Sequence, residues 1–395
     1  MEPNKQGIRL LFYLPNIRSY KDRVLMLNEV AKCVEKATLI VSRKDQDEEE
    51  LGEDFQLEIY EVPCSHMMNL LPLRVSNFVK ILIKKDSYNV VHDTFGHLFP
   101  LLIKRRSYKS CIFVTSQYQL AEWDWKNVLL PQYGLVKSLT NVNLRHYLYR
   151  IFLQRLAFTH AEHIVLQAPG LITRLEKYMP DCVKKSVFIP NSTSYFIKSD
   201  ASSDVSDRRI SEIRLLCGSG ALSFGKGGDE LLSLIREVKR REINISVVIL
   251  GGIAPLDRRY FHEQIHQSNI NSNIRMVGRV SHEEMLKYYK NSDWLFNFTA
   301  LDGSPRTALE AIACGLPVIG SSHPGVEIID PEKQFILFMD GQVEQVIDEM
   351  VACKKDPRRY ERRVAIGVSY VRDNFSSLSV SNQYVNFYHS ILNRK

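Results

Sequence analysis

The sequence predicts an α/β protein made of two Rossmann-like domains. The chain has 395 residues, of which 45% are hydrophobic and 25% charged, a balance typical of a soluble globular protein with about two to three domains. Short apolar runs rich in β-branched residues alternate with longer segments of helical periodicity, which is the pattern of β-α-β winding. This alternation stops once, near residue 196, and then starts again, so two similar halves are expected.

Nine apolar runs are predicted as buried parallel strands. In the first half they are residues 8–13, 37–42, 89–92, 111–115 and 163–166, and in the second half residues 213–217, 245–250, 274–277 and 294–298. Helical periodicity is clearest in residues 24–34, 229–240 and 283–290. Residues 196–212 are rich in Ser and Asp and poor in large apolar residues, which is typical of a linker.

These patterns predict four segments. An N-terminal Rossmann-like domain spans residues 1–195, the linker 196–212, and a second Rossmann-like domain 213–370. Residues 371–395 form a C-terminal helical segment.

Composition narrows the class of protein. No apolar run approaches the roughly 18 residues of a membrane helix, and the first residues do not resemble a signal peptide. The seven cysteines include no CxxC pair, so we expect a cytoplasmic protein without a metal cluster.

Residues 1–195 hold 26 Lys and Arg against 20 Asp and Glu, which favours an anionic partner for this half, either a membrane surface or an acceptor. Nucleic acid is not expected, since no nucleic-acid-binding signature occurs.

The loop after the first strand of the second domain has the residues of a phosphate site. It contains Gly220, Gly225, Lys226 and Gly227 and precedes an apolar helix, so backbone N–H groups and the lysine are expected to bind a diphosphate. A dinucleotide fingerprint would need glycine in place of Ser223, and a Walker A loop would need Ser or Thr in place of Gly227. A nucleotide-sugar loop and a purely structural glycine-rich turn both fit.

Residues 302–320, DGSPRTALEAIACGLPVIG, predict a short helix with both ends defined. Ser304 is a suitable N-cap, Pro305 suits the first helical position, and Gly315 suits the C-terminal stop. The residues between are small and apolar, so the helix should be buried, and a buried Glu310 then needs hydrogen-bond donors such as the hydroxyls of a ribose.

Asp302 precedes this helix, together with Gly303. A ligand held there would meet a carboxylate, backbone donors and the positive end of the helix dipole. In the alternative interpretation, Glu310 is a buried salt-bridge partner and Asp302 forms a turn.

Together these motifs resemble retaining glycosyltransferases of the GT-B fold, family 4. The spacing from Asp302 to Glu310, followed by AIACGLPVIGS, resembles the E-x7-E signature, and Gly225-Lys226-Gly227 resembles the K-G phosphate loop of that family. Residues 277–284 and 189–191 are similar to two further family segments. The resemblance implies that Lys226 binds the donor diphosphate, Glu310 the ribose, Asp302 the donor sugar and backbone near Val280 the base, without a metal ion. It also implies that the C-terminal helical segment 371–395 crosses back to the first domain.

The chain departs from the family pattern at several positions. Ala221 stands where the family has Arg, and Arg306 is a hypothetical replacement for that charge. Gln117 stands where the family has His, and Asp302 replaces Glu, which shortens the reach towards the sugar.

Acceptor residues are harder to assign in the first half. His97 and Asp93 follow the strand at 89–92, where ligands bind in open α/β sheets, although a loop histidine is as often a surface residue. Two segments, 69–85 and 144–158, combine apolar and basic residues; each fits a helix packed on the sheet, and each also fits a helix at an anionic membrane.

The resemblance therefore implies a transferase that moves a sugar from a nucleotide-diphosphate donor to a saccharide or lipid-linked acceptor, in polysaccharide or glycolipid synthesis. It is expected at the cytoplasmic side of a membrane. Two alternatives are a sugar-nucleotide epimerase or phosphorylase on the same fold and a non-catalytic relative that binds the donor.

Overall fold

The chain forms two compact units. The computed structural model describes residues 7–17, 20–43, 55–62, 71–94, 98, 101, 103–117, 120–193, 212–218, 221–299 and 305–394. Residues 1–194 together with 376–395 make the first unit, and residues 195–375 make the second. No helix in these described ranges is both long enough and apolar enough to cross a bilayer.

The first unit contains a seven-stranded parallel sheet in the order β3-β2-β1-β4-β5-β6-β7. Its strands are β1 (Arg9–Asn16), β2 (Lys36–Arg43), β3 (Glu58–Glu61), β4 (Val90–Asp93), β5 (Ile112–Gln117), β6 (His163–Leu166) and β7 (Ser186–Phe188). Its helices in the described ranges are α1 (Lys21–Cys33), α2 (Leu71–Asp86), α3 (Ala121–Asp124), α4 (Leu130–Thr140), α5 (Val142–His160), α6 (Pro169–Glu176), α7 (Pro180–Val183) and α15 (Ser377–Leu392). A π-helical turn, Trp125–Leu129, joins α3 to α4.

The second unit contains a six-stranded parallel sheet in the order β10-β9-β8-β11-β12-β13. Its strands are β8 (Ile213–Gly218), β9 (Ile245–Leu250), β10 (Ile274–Gly278), β11 (Trp294–Asn297), β12 (Val318–Gly320) and β13 (Ile336–Phe338). Its helices are α8 (Gly228–Arg240), α9 (Arg258–Gln267), α10 (His282–Lys290), α11 (Arg306–Ala313), α12 (Pro324–Glu327), α13 (Val343–Lys355) and α14 (Pro357–Phe375). In both sheets the strand order reverses between the first and the fourth strand, which is the Rossmann arrangement.

All nine predicted strands overlap a strand of the structure, so the α/β prediction is confirmed. Four strands are missing from the prediction: β3, β7, β12 and β13. Strands β7, β12 and β13 have three residues each, too few for a periodic signal, and β3 has the sequence EIYE, whose two glutamates interrupt the apolar run. Strands β3, β7 and β13 lie at sheet edges and pair with one neighbouring strand each.

The C-terminal helix α15 packs in the first unit, against α1 and the sheet. Its Tyr388 and Tyr384 belong to the apolar core that contains Phe12 of β1. His92 of β4 is fully buried among these rings, and its Nδ1 lies 2.7 Å from the Tyr388 hydroxyl. Burial, with a smaller contribution from the charge of Arg23, lowers the pKa of His92 to about 3, so the side chain is neutral at physiological pH.

We expect acid to destabilise the first unit through His92. The unfolded chain binds a proton at this residue below about pH 6.5, whereas the folded chain does so only near pH 3, so stability is lost as the pH falls through that window at about 1.4 kcal/mol per pH unit. In urea unfolding, the loss between pH 7 and pH 5 should be about 2 kcal/mol greater for the native protein than for His92→Gln, which still offers Tyr388 a polar partner. Equal losses would show that His92 does not set the pH dependence.

Candidate active site

The candidate site lies at the point where the strand order of the second sheet reverses. Strands β8 and β11 are neighbours there, and ligands of open α/β sheets bind beyond the carboxyl ends of such a pair. The loop that carries Lys226 follows β8, and the segment that leads into α11 follows β11. The two segments are in contact, because a Cβ atom added to Gly227 would lie 2.1 Å from the Cβ atom of Phe298.

The loop around Lys226 is closed by its own hydrogen bonds. The N–H groups of Lys226 and Gly228 each donate to the Ser223 carbonyl at 3.0 Å, and the N–H of Gly227 donates to the Phe224 carbonyl at 3.2 Å. These three amides are therefore bonded within the loop around the 3₁₀ turn Phe224–Lys226, and the prediction that other backbone N–H groups of the loop bind an anion stays a prediction. The charge that this part of the loop offers to a ligand is the Lys226 ammonium.

The glycines of this loop are required by packing. Gly227 has φ 73° and ψ 31°, a left-handed conformation at the N-cap of α8, and it lies against Phe298. A Cβ atom at Gly228 would lie 2.1 Å from Cζ of Phe261. Gly225 is buried within the turn, and Gly220 lies outside the described residues.

Helix α11 begins one residue later than predicted. Pro305 is its N-cap, and ψ of 98° keeps this residue extended, so Arg306 is the first helical residue. The predicted cap Ser304 lies outside the described residues, as do Asp302 and Gly303. The helix is buried from Ala308 to Ala313 and ends before Gly315, whose φ of 78° confirms the predicted stop.

Glu310 lies within this apolar helix with only 6% of its surface exposed. The hydroxyl of Tyr289 donates a hydrogen bond to its Oε2 atom at 3.0 Å, and Tyr289 is itself buried. Tyr289 comes from α10, and its role could not be predicted, because a tyrosine within KYYK carries no local signal of a partner 21 residues away. A buried carboxylate with a donor from a neighbouring helix is held in one orientation, as a group that recognises ligand hydroxyls needs to be.

Helix α10 also links Val280 to the hydrogen-bonded pair of Tyr289 and Glu310. Ser281 caps the helix through a capping box, in which its Oγ accepts the N–H of Glu284 and the Glu284 carboxylate accepts the N–H of Ser281. Val280 precedes this cap and packs, partly buried, on the core cluster that contains Tyr289. The start of α10 and the Glu310 carboxylate are therefore linked by one rigid helix.

The acceptor-side candidates of the first unit are less well placed to bind a ligand than the donor-side candidates. Asp93 is buried, and its Oδ2 accepts the N–H of Leu98 at 2.8 Å, so it closes the loop that contains His97. His97 lies outside the described residues. Gln117 ends β5, is buried, and accepts a hydrogen bond from Gln154 at 3.3 Å, while its Nε2 atom is buried without a partner.

Part of the chain is similar in sequence to known glycosyltransferases. Residues 205–367 match the family described as "Glycosyl transferases group 1". Alpha-monoglucosyldiacylglycerol synthase of Streptococcus pneumoniae is 24% identical over 122 residues, which are 31% of this chain and 27% of that protein. One of the subunits of the Homo sapiens phosphatidylinositol N-acetylglucosaminyltransferase is 23% identical over 182 residues, 46% of this chain and 34% of that protein.

Solved structures resemble nearly the whole chain. Sucrose-phosphate synthase from Thermosynechococcus elongatus has a TM-score of 0.72 at 14% identity, covering 98% of this chain and 100% of that one. Anabaena Alr3699/HepE in complex with UDP-glucose has a TM-score of 0.65 at 14% identity, covering 97% and 100%. The chain has the GT-B fold, and residues 205–367 are similar to the glycosyltransferase group 1 family.

The residues that match the glycosyltransferase group 1 family contain every donor-side candidate. They include the Lys226 loop, Val280, Arg306 and Glu310. The matched residues span about a third or less of the length of each of those relatives, 27% and 34%.

Replacing Gly227 by Ala should destabilise the second unit strongly. The new methyl group meets Phe298, and the left-handed conformation adds strain, so we expect a cost of about 1–3 kcal/mol beyond the strain alone. Gly341→Ala is the matched control, because Gly341 has φ 80° with nothing within 4 Å of an added Cβ. Thermal unfolding gives the stability of both variants. Equal losses of stability in Gly227→Ala and Gly341→Ala would contradict a steric role for Phe298.

Removing the Tyr289 hydroxyl should weaken the support of Glu310. Tyr289→Phe deletes one hydrogen bond to a buried carboxylate, for which we expect a loss of about 1–3 kcal/mol in the free energy of unfolding. Tyr288→Phe, a partly buried neighbour on the same helix, should change stability by less than about 0.5 kcal/mol. Urea denaturation compares the two, and similar small effects would mean that Glu310 does not depend on Tyr289.

Proposed function

We propose that this protein transfers a sugar from a nucleotide-diphosphate donor to an acceptor hydroxyl, with retention of anomeric configuration, and that its second unit binds the donor. The observation that carries the proposal is Glu310, a buried carboxylate on an apolar helix beside the strand-order reversal. A structural neighbour with this fold holds UDP-glucose, which supports a nucleotide-sugar as the donor class.

Each donor-side residue has a role in this proposal. Glu310 accepts hydrogen bonds from the ribose hydroxyls, and Lys226 balances the charge of the diphosphate. Arg306, at the first position of α11, adds a second positive charge near the helix N-terminus, in place of the arginine that the family has at Ala221. Asp302 contacts the donor sugar, and backbone near Val280 contacts the base.

The leaving nucleotide diphosphate is stabilised by these cations and helix N-termini, and the reaction requires no metal ion. Gly220, Gly303 and Ser304 complete the donor site in this proposal. His97 acts on the acceptor side, where the acceptor is a saccharide or a lipid-linked saccharide. One of the curated relatives is named alpha-monoglucosyldiacylglycerol synthase, which supports a glycolipid acceptor. The proposal extends to polysaccharide synthesis and to a position at the cytoplasmic face of a membrane.

One observation favours a non-catalytic, donor-binding protein as the second candidate. Gln117 stands where the family has a histidine, and it is buried and bonded to Gln154, so its side chain is committed to the interior of the first unit. A protein of this kind would bind the donor and show no turnover with any acceptor.

Calorimetry with UDP, GDP and ADP, with and without Mg²⁺, tests the donor site. We expect one nucleotide to bind equally well in both conditions. Glu310→Ala should weaken that binding by roughly tenfold to a hundredfold, the value of a hydrogen bond to a charged group. Lys226→Gln should weaken it as well, whereas Glu327→Ala, an exposed carboxylate of α12, should leave it unchanged.

Three outcomes would reject this proposal. They are binding that depends on Mg²⁺, binding that ignores Glu310, and no binding of any of the three nucleotides. If a nucleotide binds as expected but the sugar-nucleotide is not consumed in a screen of acceptors, the non-catalytic candidate is supported. The anomeric configuration of a product, read from its NMR coupling constants, tests retention.

A further inference from the structure

Four buried polar side chains of the first unit have atoms without a hydrogen-bond partner among the described residues. His92 and Ser116 are in the last residues of β4 and β5, and Gln167 and Thr193 are in the segments that follow β6 and β7. Each side chain is at most 2% exposed. The atoms concerned are Nε2 of His92, Oγ of Ser116, both amide atoms of Gln167 and Oγ1 of Thr193. Buried polar atoms are normally paired, so a group of them at one sheet edge indicates a ligand-binding role.

Two of these side chains, Ser116 and Gln167, lie on the same side of the first sheet. Val114 and Val165 pack in the core that contains α1 and α15, and strand residues two apart point to the same face. Ser116 follows Val114 by two residues and is the register partner of Val165. Gln167 follows Val165 by two residues, and the backbone is still extended at Ala168, with φ −149° and ψ 143°. Both polar side chains therefore face α1.

Arg23 of α1 lies over the same strand ends. Its Nη2 atom donates a hydrogen bond to Oδ1 of Asn191, in the segment after β7, at 3.2 Å. In the direction of β4, its charge reaches His92, since burial and, second, the charge of Arg23 lower the pKa of that histidine. Strands β5 and β6 lie between β4 and β7 in the sheet. The guanidinium is therefore in the part of the fold where β5 and β6 end in Ser116 and Gln167.

The guanidinium of Arg23 has no acidic partner among the described residues. It is partly buried, its one hydrogen bond there goes to the neutral amide of Asn191, and neither Asp22 nor another described carboxylate lies within ion-pair distance. Arginines that are withdrawn from water are normally paired with an acid. An oxyanion is therefore the complementary ligand, which agrees with the excess of Lys and Arg, 26 against 20 acidic residues, in residues 1–195.

We propose that Arg23, Ser116 and Gln167 bind an anionic group of the acceptor, a carboxylate or a phosphate. Arg23 provides the charge and parallel N–H donors, and the Ser116 hydroxyl and the Gln167 amide each provide a further donor. The Thr193 hydroxyl is a fourth donor at the same edge. That the ligand is the acceptor rests on the proposed function, which assigns the donor to the second unit. The anion site itself does not depend on that function.

A neutral saccharide fits these residues less well. Its hydroxyls would pair with Ser116 and Gln167 but would leave the charge of Arg23 uncompensated. The proposal therefore narrows the acceptor to a charged one, such as a uronic acid or a sugar phosphate.

NMR titration with inorganic phosphate and with acetate, at constant ionic strength, tests the site with the smallest probes of each group. All proteins carry Lys226→Gln, which removes the cation proposed for the donor diphosphate. This parent protein should bind at least one probe, and the tighter of the two identifies the group. Arg23→Gln should weaken that binding roughly tenfold or more, and Ser116→Ala about threefold. Arg106→Gln, an exposed arginine of the same unit, should change it by less than about twofold.

A stability measurement separates a ligand-binding glutamine from a structural one. Gln167→Leu removes an amide that has no described partner, so the midpoint of thermal unfolding should rise by about 2–4 °C while anion binding falls. Gln154→Leu is the matched control. Gln154 is also buried, but it accepts the N–H of Ala121 at 2.9 Å and donates to Gln117, so its replacement should lower the midpoint.

Several results would overturn the proposal. They are a parent protein that binds neither probe, folded Arg23→Gln protein that binds as the parent does, and an Arg106→Gln variant that loses as much. A lower midpoint for Gln167→Leu would make that glutamine structural. If Arg23→Gln does not fold, unchanged binding by Ser116→Ala decides against the site. In protein with native Lys226, Arg23→Gln should leave nucleotide binding within about twofold. If no nucleotide binds although phosphate binds through Arg23, the anion site stands and its assignment to the acceptor is wrong.

Discussion

The burial of one carboxylate constrains the candidate site more than any other feature. Glu310 is on a helix made of small apolar residues, where an ionised group without donors would be expensive. Tyr289 provides one donor, and it is held in position by its burial in the apolar core. Phe298, which follows β11, packs in turn against Gly227 of the Lys226 loop. The geometry of the donor side therefore rests on apolar packing, with a few hydrogen bonds that orient the polar groups.

The two units differ in how they distribute charge. The second unit is nearly neutral in composition and carries the donor-side candidates Lys226, Arg306 and Glu310. Residues 1–195, which make up most of the first unit, have a net charge of +6, which favours an anionic partner. The proposed sugar transfer is consistent with this division, because it assigns the donor to the second unit and the acceptor to the first.

The C-terminal helix gives the first unit part of its core. Tyr388 and Tyr384 of α15 surround His92, which remains neutral because its charged form cannot be hydrated there. His92 directly precedes Asp93, and Asp93 closes the loop at the carboxyl end of β4. The packing of a helix from the far end of the sequence therefore supports a loop that the proposed function assigns to the acceptor side.

The elements that depend on local pattern could be predicted from the amino-acid sequence. Nine of the thirteen strands in the described ranges, the stop of α11 at Gly315 and the burial of that helix all follow from apolar periodicity and from backbone preferences, which act within a few residues. Contacts between elements, in contrast, are set by the tertiary fold. Tyr289 reaches Glu310 from another helix, Phe298 occupies the space left by Gly227, and the amides of residues 226–228 bond within their own loop. The exposed apolar side chains of α4 and α5 are another example, because a leucine in a helical pattern is predicted as buried unless the fold leaves its face uncovered. These contacts join residues whose partners are set by the packing of whole elements, and no local pattern encodes them.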